Sequence, residues 1–504
     1  MAKYMAKGAV VEMAVTYFPS FLRSRKTAIR LDKWMNGRQG ELHEDFDQGA
    51  VDPDDPEYGL PFAPRAETTN TEYDNLRGLS PNNFAGLIVA SLAQTAYVDG
   101  IRRPGVKGNL PSWETWQRNG WDAKQSPVHR TAIGLGQSFG LVVPGADPLT
   151  GTKMAKMLAR SPKTMAAFYD NNDDEWPVIA IEAHPLLESN AVMRNVQVGW
   201  TVIVYDAYVN HRLSCKGNGL TADDWTYIDF TEHGMPVPPV ARCVNKVDLD
   251  GRTTGEVEPV LPLLRRIDQD VFDRLIVQRF GAWQVRYISG MAKPTNVSEQ
   301  AAQKLRLQVE DILISTSKDT KFGVLPAGDL QNQIGATDAD LRLLSAISQT
   351  PPHHLLGLSS NLQAEALAAA ESGLQRKGYD FRTNAGEFHE QMARLAAMAE
   401  GDMKTAAAFD LQVRWKDTES RSMTQAADAL GKLAVQLKVP LEMLWEKIPG
   451  WTDTDVSRAK ELIEDGTFET LIKELMDGTP TPPADQQGQP SQQGQQGSAG
   501  GNGN

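Results

Sequence analysis

The chain has 504 residues, of which 41% are apolar and 23% are charged, so it is long enough for roughly three globular domains. Two cysteines, Cys215 and Cys243, are too few for a disulfide framework and indicate synthesis in a reducing, intracellular compartment. A net charge of −13 argues against simple adhesion to nucleic acid, so any DNA partner is expected to be guided rather than bound tightly.

The N-terminal part predicts neither a membrane span nor a signal peptide. No run of about 18 apolar residues occurs in the chain, and Ala9–Val15 is interrupted by Glu12 without a following small-residue cleavage site. Residues 1–38 carry eight basic and two acidic side chains, whereas residues 41–58 carry eight acidic and no basic ones. Asp52–Asp55 lacks the central glycine and closing glutamate of a calcium loop, so a solvated, flexible connector is predicted there.

Farther along the chain, apolar residues at helical spacing predict a helix that begins at Ser80-Pro81 and extends to Tyr97. Two glycine-containing segments then invite a nucleotide-binding interpretation. Gly134–Gly140 has the wrong glycine spacing for a dinucleotide loop, and no βαβ pattern surrounds it. Gly145–Lys153 has five residues between its glycines, where a phosphate-binding loop needs four. We therefore expect neither segment to bind a nucleotide.

Residues 164–245 are rich in β-branched and aromatic runs separated by turn-forming residues, which predicts an antiparallel β region. These runs are Trp176–Glu182, Val198–Val209 and Trp225–Phe230. After Gly255 the apolar spacing becomes helical, from Leu261 to Leu275. A strand, a helix and a second strand follow at Trp283–Ser289, 298–316 and Lys321–Leu325.

Between Thr337 and Glu400 the sequence predicts a short helix, a proline-broken segment and a long helix. Thr337 and Asp340 resemble a capping box that begins the short helix, and Pro351-Pro352 ends it. His353–Ser360 is too short and too interrupted by glycine to form an element. The long helix begins at Asn361, and its apolar residues form a heptad-like seam: Leu374, Phe381, Ala385, Phe388, Met392, Leu395 and Ala399. Both an ordinary core and a contact between subunits fit this seam.

The C-terminal part ends in a segment that cannot order itself. Phe409–Trp415 alternates between apolar and polar residues and predicts a half-buried strand. Residues 418–478 contain three helical patterns. From Thr479 the chain is mostly Pro, Gln, Gly, Ser and Asn, which cannot bury enough apolar surface to fold. We therefore expect residues 479–504 to be disordered and dispensable for assembly.

Four segments match, in order, local motifs of a single protein family. They are His129–Gly134, His233–Asn245, Gly255–Phe280 and Asn361–Leu367. Together they resemble the portal proteins of tailed double-stranded-DNA bacteriophages, in which such segments belong to the N-terminal helices, the approach to the stem, the first stem helix and a helix entry. Gln363 stands where a serine is common in that family. The resemblance extends from about Leu79 to Glu464.

The resemblance implies an α+β portal fold with a helical stem, a small α/β clip, a mixed wing and a helical crown. Subunits of this family assemble as a homo-oligomeric ring, usually of twelve copies, at one capsid vertex. Double-stranded DNA would enter through the ring during packaging and leave during ejection. The implied partners are the terminase large subunit, a head–tail adaptor protein, and the major capsid and scaffolding proteins, with no membrane and no cofactor. The protein would assemble in the host cytoplasm and reside in the virion.

The same resemblance implies a division of the chain into domains. Residues 1–78 would be an N-terminal arm, acidic and partly flexible; 79–258 the wing, with N-terminal helices and the β region; 259–282 the first stem helix; 283–336 the clip; 337–350 the second stem helix; 351–361 the tunnel loop; 362–417 the long wing helix and a returning strand; 418–478 the crown; and 479–504 the disordered tail.

The implied functional site is the tunnel loop, which the resemblance places in the DNA channel. It comprises Pro351, Pro352, His353, His354, Leu355, Leu356, Gly357, Leu358, Ser359, Ser360 and Asn361. The loop has no Lys or Arg, so it can touch a duplex without a fixed grip on phosphate, and Gly357 permits it to change conformation. The competing prediction is that its three leucines simply pack into the core.

Two other classes of protein compete with a portal. One is another ring-forming head or tail connector, although such proteins are usually shorter. The other is an enzyme such as a packaging ATPase or nuclease, which needs a phosphate-binding loop or carboxylates clustered on a metal. Asp173–Glu175 is interpreted as a charged loop, and His353-His354 has no Cys, Asp or His partner at ligand spacing. We therefore predict neither a catalytic nor a metal site.

Overall fold

The structure is a computed structural model that describes residues 5–41, 71–104, 110–188, 196–281, 286–289, 321–324, 330–357, 364–416, 423–451 and 453–464. The chain divides into two units, Met1–Glu419 and Ser420–Asn504. Helices and antiparallel sheets are mixed along the first unit, which confirms the α+β class. The predicted acidic connector at 41–58, apart from Glu41, the helix at 298–316 and the tail from Thr479 lie outside the described residues.

Ten α-helices are described in the first unit: α1 (Lys7–Met35), α2 (Thr71–Leu79), α3 (Phe84–Ala93), α4 (Pro111–Arg118), α5 (Trp121–Leu135), α6 (Leu261–Gly281), α7 (Leu330–Ser348), α8 (Pro352–Leu356), α9 (Ala364–Glu400) and α10 (Met403–Ala406). Its described strands are β1 (Val98–Arg102), β2 (Gln137–Val143), β3 (Lys156–Arg160), β4 (Met165–Phe168), β5 (Ile179–Glu188), β6 (Val196–Tyr205), β7 (Val209–Lys216), β8 (Trp225–Glu232), β9 (Val240–Val244), β10 (Lys246–Val247), β11 (Thr253–Thr254), β12 (Arg286–Ser289), β13 (Lys321–Val324) and β14 (Gln412–Trp415). Short 3₁₀ turns at Ala222–Asp224 and Glu258–Val260 precede β8 and α6.

The predicted antiparallel region is a five-stranded sheet with the order β4-β5-β6-β7-β8. Every neighbouring pair is antiparallel, with Ile181 opposite Val204 and Trp200 opposite Cys215. Along β7, buried residues alternate with more exposed ones, as expected for a strand whose two faces meet different surroundings. This region of the sequence analysis is confirmed.

Helix α1 covers the apolar face of that sheet. Its buried residues Val10, Ala14, Phe18 and Phe21 recur every three or four positions, and Phe18 makes edge-to-face ring contacts with two sheet tryptophans. The expected N-terminal arm is therefore, over residues 7–35, an integral part of the folded unit. The packing of α1 on this sheet was not predicted, because the apolar face of a basic helix does not show which part of the chain it packs against.

A second sheet, with the order β3-β2-β9, packs against the long helix α9. The seam predicted for α9 faces this sheet and the neighbouring helices of the same subunit: Phe381, Phe388, Met392 and Leu395 are each at most 1% exposed. A Cβ on Gly140 of β2 would lie only 2.3 Å from Met392 Sδ, so a larger residue there would force the Met392 side chain to shift. The seam is thus an intramolecular core rather than a subunit contact.

The glycines that resembled a dinucleotide loop have a packing role. Gly136 ends α5 with φ of 94°, a left-handed conformation that favours glycine. A Cβ on Gly255 would lie 2.3 Å from the carbonyl oxygen of Gly134, so the two segments meet backbone to backbone. The other glycine-containing segment, Gly145–Lys153, is a reverse turn in which Ala146 pairs with Lys153. Neither segment is arranged as a phosphate cradle.

Three smaller pairings and one corrected helix complete the first unit. Strands β1 and β14, β10 and β11, and β12 and β13 form antiparallel pairs. Helix α3 is shorter than the predicted Ser80–Tyr97 helix: it begins after Asn83, whose Oδ1 accepts a hydrogen bond from the Gly86 amide at 3.1 Å. Tyr97 instead precedes β1, because residues 98–102 find a pairing partner in β14.

A pair of buried imidazoles joins α5 to α9 in the core. His129 and His389 are both 0% exposed, and their Nε2 atoms lie 2.8 Å apart. His129 Nδ1 lies 3.3 Å from the Ala96 carbonyl and therefore donates to it, so His129 Nε2 accepts the N–H of His389. Burial lowers the pKa of His129 to about 4, and burial followed by the neighbouring His129 lowers the pKa of His389 well below its ordinary value.

The second unit contains α11 (Met423–Gln436), α12 (Leu441–Trp445) and α13 (Asp453–Glu464). These helices confirm the three helical patterns predicted there. Leu444 and Val456 are almost fully buried, whereas Val435 and Met443 expose 78% and 62% of their surface. The unit therefore has a small core and retains apolar surface around the α11–α12 connection.

Candidate functional site

Helices α6 and α7 precede the candidate loop and pack against each other. Their buried leucines and isoleucine, including Leu264, Ile267 and Leu344, belong to the main core. Arg266 also donates two hydrogen bonds of 2.5 Å to the carboxylate of Asp340. The Arg266 side chain is 56% exposed, so solvent screens this ion pair and apolar burial dominates the contact.

A buried carboxylate fixes α6 to the N-terminal part of the chain. Asp268 is 1% exposed and accepts hydrogen bonds from the Gln39 side chain and from the Asn82 amide, each at 3.0 Å. Burial raises the pKa of Asp268 to about 6, although these donors favour the charged form. The start of α6 thus has a fixed position relative to α1 and α3.

Helix α7 begins at Leu330, seven residues before the predicted start at 337. Thr337 lies inside the helix, and its hydroxyl donates to the Gln333 carbonyl at 3.1 Å. The predicted capping box is therefore wrong, because a threonine hydroxyl can also bond to the preceding helical turn. Residues 330–336, which were assigned to the clip, are helical and continuous with the predicted second stem helix.

The end of α7 is fixed by contacts from the long helix. Lys377 of α9 is 7% exposed and donates to the Ser348 carbonyl at 2.6 Å. Its positive charge there interacts favourably with the negative end of the α7 dipole. Ser345 Oγ donates to the Thr350 carbonyl at 2.7 Å, and Gln349 has a left-handed φ of 53°. The chain therefore makes a constrained turn before it enters the loop.

The same lysine belongs to a buried ionic cluster centred on Glu256, just before α6. Glu256 is paired with Lys377 at 2.5 Å and Lys246 at 2.8 Å, and accepts from Asn245 Nδ2 at 3.0 Å. Burial raises the pKa of Glu256, but these partners outweigh it and hold the pKa below its usual value. The approach to α6, the end of α7 and the long helix α9 meet at this cluster.

The candidate loop begins with a turn of helix, α8, rather than an irregular segment. Pro351 is extended, with φ of −53° and ψ of 135°, and Pro352 occupies the first helical position, where its missing N–H is not needed. Gly357 ends the turn with φ of 65°. The prediction that residues 353–360 form no element is wrong for 353–356. Leu358, Ser359, Ser360 and Asn361 lie outside the described residues.

The leucines of α8 are structural. Leu355 is 7% exposed and belongs to the main core, and Leu356 packs against it. The prediction that leucines of the loop pack into the core is therefore confirmed for these two residues. The two histidines of α8 are also partly exposed, and they carry the polar side chains of this turn.

The structure adds Glu371 of α9 to those two histidines. Glu371 Oε1 lies 2.9 Å from His353 Nε2 and 3.1 Å from His354 Nε2. Sequence reasoning missed this residue because it lies 18 positions after His353, on another helix. Glu371 is one of three carboxylates in the first half of α9, with Glu365 and Asp380, which is a weak signal.

The fold and the joined pair of helices agree with a family comparison. A family model described as Phage portal protein, SPP1 Gp6-like, matches residues 20–467, from the middle of α1 to the end of α13. The chain belongs to this phage portal protein family. No protein with a curated description matches the chain.

Membership in the portal family defines the general role of the chain. Portal proteins form an oligomeric ring at the portal vertex of the capsid, through which DNA passes, and the family is structural rather than enzymatic. The matched family is therefore neither a packaging ATPase family nor a nuclease family. Within the described residues, every helix is either too short or too polar to cross a membrane.

Proposed function

We propose that twelve copies of this chain form a ring in which the segment of residues 351–361 of each subunit, apart from its core leucines Leu355 and Leu356, faces the axial channel. Double-stranded DNA would enter through this channel during packaging and leave through it during ejection. One observation carries the proposal: in a portal-family chain, the described part of the segment, residues 351–357, follows the fixed end of α7, contacts α9 through His353, and has no Lys or Arg. A fixed but uncharged segment suits a surface past which DNA slides.

The charge of the chain supports passage rather than binding. Each Lys or Arg that contacts a phosphate adds salt-dependent affinity and would slow a moving duplex. A net charge of −13 repels the DNA backbone and would keep it near the axis of a ring. The composition therefore predicts a low affinity of the chain for DNA, and the ring would hold the duplex by surrounding it.

Exposed apolar side chains support assembly into a ring. Leu343 and Ile347, one turn apart on α7, expose 46% and 55% of their surface. In the second unit, four apolar side chains within residues 435–443 are exposed: Val435, Leu437, Leu441 and Met443. Surfaces of this kind are typical of protein–protein contacts, and contacts repeated around a rotation axis close into a ring.

The domain assignments follow from the same proposal. Helices α6 and α7 would be the stem, residues 283–329 the clip, residues 79–258 with 362–417 the wing, and residues 418–478 the crown. The clip would dock the terminase large subunit during packaging and then a head–tail adaptor. The major capsid and scaffolding proteins would contact the wing during assembly in the host cytoplasm.

Electron microscopy and native mass spectrometry of the purified chain test the ring. We expect rings with an axial hole and a mass twelve times 55.4 kDa. A single 55.4 kDa species at micromolar concentration under all salt conditions would refute ring formation. A closed ring with another number of subunits would refute only the dodecamer.

Packaging assays with added lysines test the channel assignment. Ser359→Lys and Ser360→Lys should leave rings intact but slow DNA translocation, and the slowing should become larger as salt is lowered. Asn218→Lys is the matched control, since Asn218 is exposed in the β7–β8 turn of the predicted wing. Normal packaging by the loop variants at low salt would contradict a position of this segment beside DNA.

A further inference from the structure

The cluster of His353, His354 and Glu371 has the composition of a metal centre. The two imidazoles come from α8 and the carboxylate from α9, and one ligand atom from each residue lies within 4.8 Å of the other two. We propose that this cluster binds one divalent transition-metal ion, Zn²⁺ fitting best, through both histidine Nε2 atoms and a Glu371 carboxylate oxygen.

The distances are close to those that a bound ion requires. Tetrahedral Zn²⁺ with bonds of about 2.0–2.1 Å separates its ligand atoms by roughly 3.4 Å. The carboxylate oxygen now lies 2.9 Å from His353 Nε2 and 3.1 Å from His354 Nε2. Small rotations of the three side chains, which move each ligand atom by a few tenths of an ångström, would therefore admit an ion without a change in the backbone.

The identity of the nitrogen atoms also suits coordination. His354 Nδ1 is buried and has no hydrogen-bond partner among the described residues, so Nε2 is the nitrogen that an ion can reach. Both Nε2 atoms already point at the same oxygen of Glu371. Successive residues of a helix point about 100° apart, yet the two rings converge with centroids 4.5 Å apart. A surface hydrogen bond needs only one of them.

The ligand set selects the class of ion. Imidazole nitrogen with one carboxylate suits Zn²⁺ and its transition-metal neighbours, whereas Mg²⁺ and Ca²⁺ prefer sites built from oxygen. Three protein ligands leave a fourth position for water or another small ligand. The side chains of His354 and Glu371 are 29% and 30% exposed, so solvent can reach that position.

A bound ion would cross-link α8 to α9. Without an ion, the polar contacts that join the two helices here, in the part of the chain that the structure describes, are those from the imidazoles to the carboxylate. Coordination would replace these with stronger contacts and hold the helical turn of the candidate channel segment in one position. The inference concerns residues of a single chain and does not depend on the proposed passage of DNA.

Isothermal titration calorimetry of the full, untagged chain with Zn²⁺ tests the proposal. We expect one ion per chain with a dissociation constant in the micromolar range or tighter. Glu371→Gln and His354→Ala should each weaken binding at least about tenfold, because each removes a direct ligand. His184→Ala is the matched control: His184 lies 3.0 Å from Glu182, but that carboxylate already binds Arg160 and no third ligand is near among the described residues.

X-ray absorption at the zinc edge supplies a readout that needs no variant. The expected spectrum shows nitrogen and oxygen ligands at about 2.0–2.1 Å, including imidazole. Three outcomes would overturn the proposal: no Zn²⁺ bound at millimolar concentration, equal affinity in the wild type and both ligand variants, or tighter binding of Mg²⁺ than of Zn²⁺. Since binding is measured on the isolated chain, its absence would leave the proposed channel role untouched.

Discussion

Replacing His129 with glutamine should make the folded chain less sensitive to acid. His129 donates through Nδ1 to the Ala96 carbonyl and accepts through Nε2 from His389. A glutamine amide can also donate to that carbonyl and accept from His389, so the variant keeps both hydrogen bonds and loses the titratable ring. We therefore expect only a modest loss of stability at neutral pH.

The magnitude follows from the position of the ring. Burial lowers the pKa of His129 from 6.5 to about 4, so the unfolded chain binds a proton in this window and the folded chain does not. The free energy of unfolding therefore falls as pH decreases from 6.5 towards 4. At 1.36 kcal/mol per pH unit, His129 alone removes ~2 kcal/mol between pH 6.5 and pH 5.

Other buried groups add to or oppose this loss, which is why the comparison must be made between variants. The pKa of His389 is lowered well below its ordinary value by burial and by His129, so it acts in the same direction. Burial raises the pKa of Asp268 to about 6, so protonation of this carboxyl stabilises the folded state as pH falls through 6. The Asp268 contribution is common to the wild type and the variant and cancels in the difference.

Urea denaturation followed by tryptophan fluorescence at pH 7 and pH 5 measures the effect. Trp116 and Trp415 contact the imidazole pair and report on this part of the core. We expect the His129→Gln variant to lose about 2 kcal/mol less than the wild type between the two pH values, and His184→Gln, at a position 52% exposed, to follow the wild type. Equal losses in the wild type and His129→Gln would refute the reasoning.

Three further changes separate buried, packed and tail residues. Lys377→Met should lower the free energy of unfolding by about 3–5 kcal/mol, because it leaves the buried Glu256 short of a partner. In a double-mutant cycle, a second change, Glu256→Gln, should restore much of that loss. An unchanged urea midpoint for the single variant would contradict this explanation. Gly255→Ala should destabilise the fold by at least about 1–3 kcal/mol, because its Cβ would lie 2.3 Å from a backbone carbonyl oxygen near the end of α5. The control Gly373→Ala, which has open space around it, should be neutral or slightly stabilising. Thermal melts of the two variants measure the difference. Removal of residues 479–504 should leave ring formation unchanged in electron micrographs, because their composition cannot form a core.

The sequence by itself determined much of the architecture. Strands β5, β6 and β8 were predicted because alternation and turn residues are local properties, and a strand with two different faces must alternate, whereas β7, apart from Val209, lay outside the predicted runs. The heptad-like spacing of α9 and the three helices of the second unit follow from helical periodicity in the same way. The family resemblance was likewise carried by short local motifs in a fixed order, and the family match over residues 20–467 agrees with it.

Tertiary structure alone decided which surfaces meet. The spacing of Phe381 to Leu395 shows that one face of α9 is buried, but the partner proved to be a sheet of the same chain rather than a second subunit. The hydroxyl of Thr337 suits a helix start and a helix interior equally, and its surroundings chose the interior.

The candidate site shows the same division between local and distant information. Prolines 351 and 352 and Gly357 marked a break between two helices, and the break is present. Glu371 joined His353 and His354 only because two helices bring residues 18 positions apart into contact, and His389 reached His129 across 260 positions. Periodicity encodes which face of an element is buried, whereas the identity of the group on the other side depends on how the chain folds back, which no local pattern records.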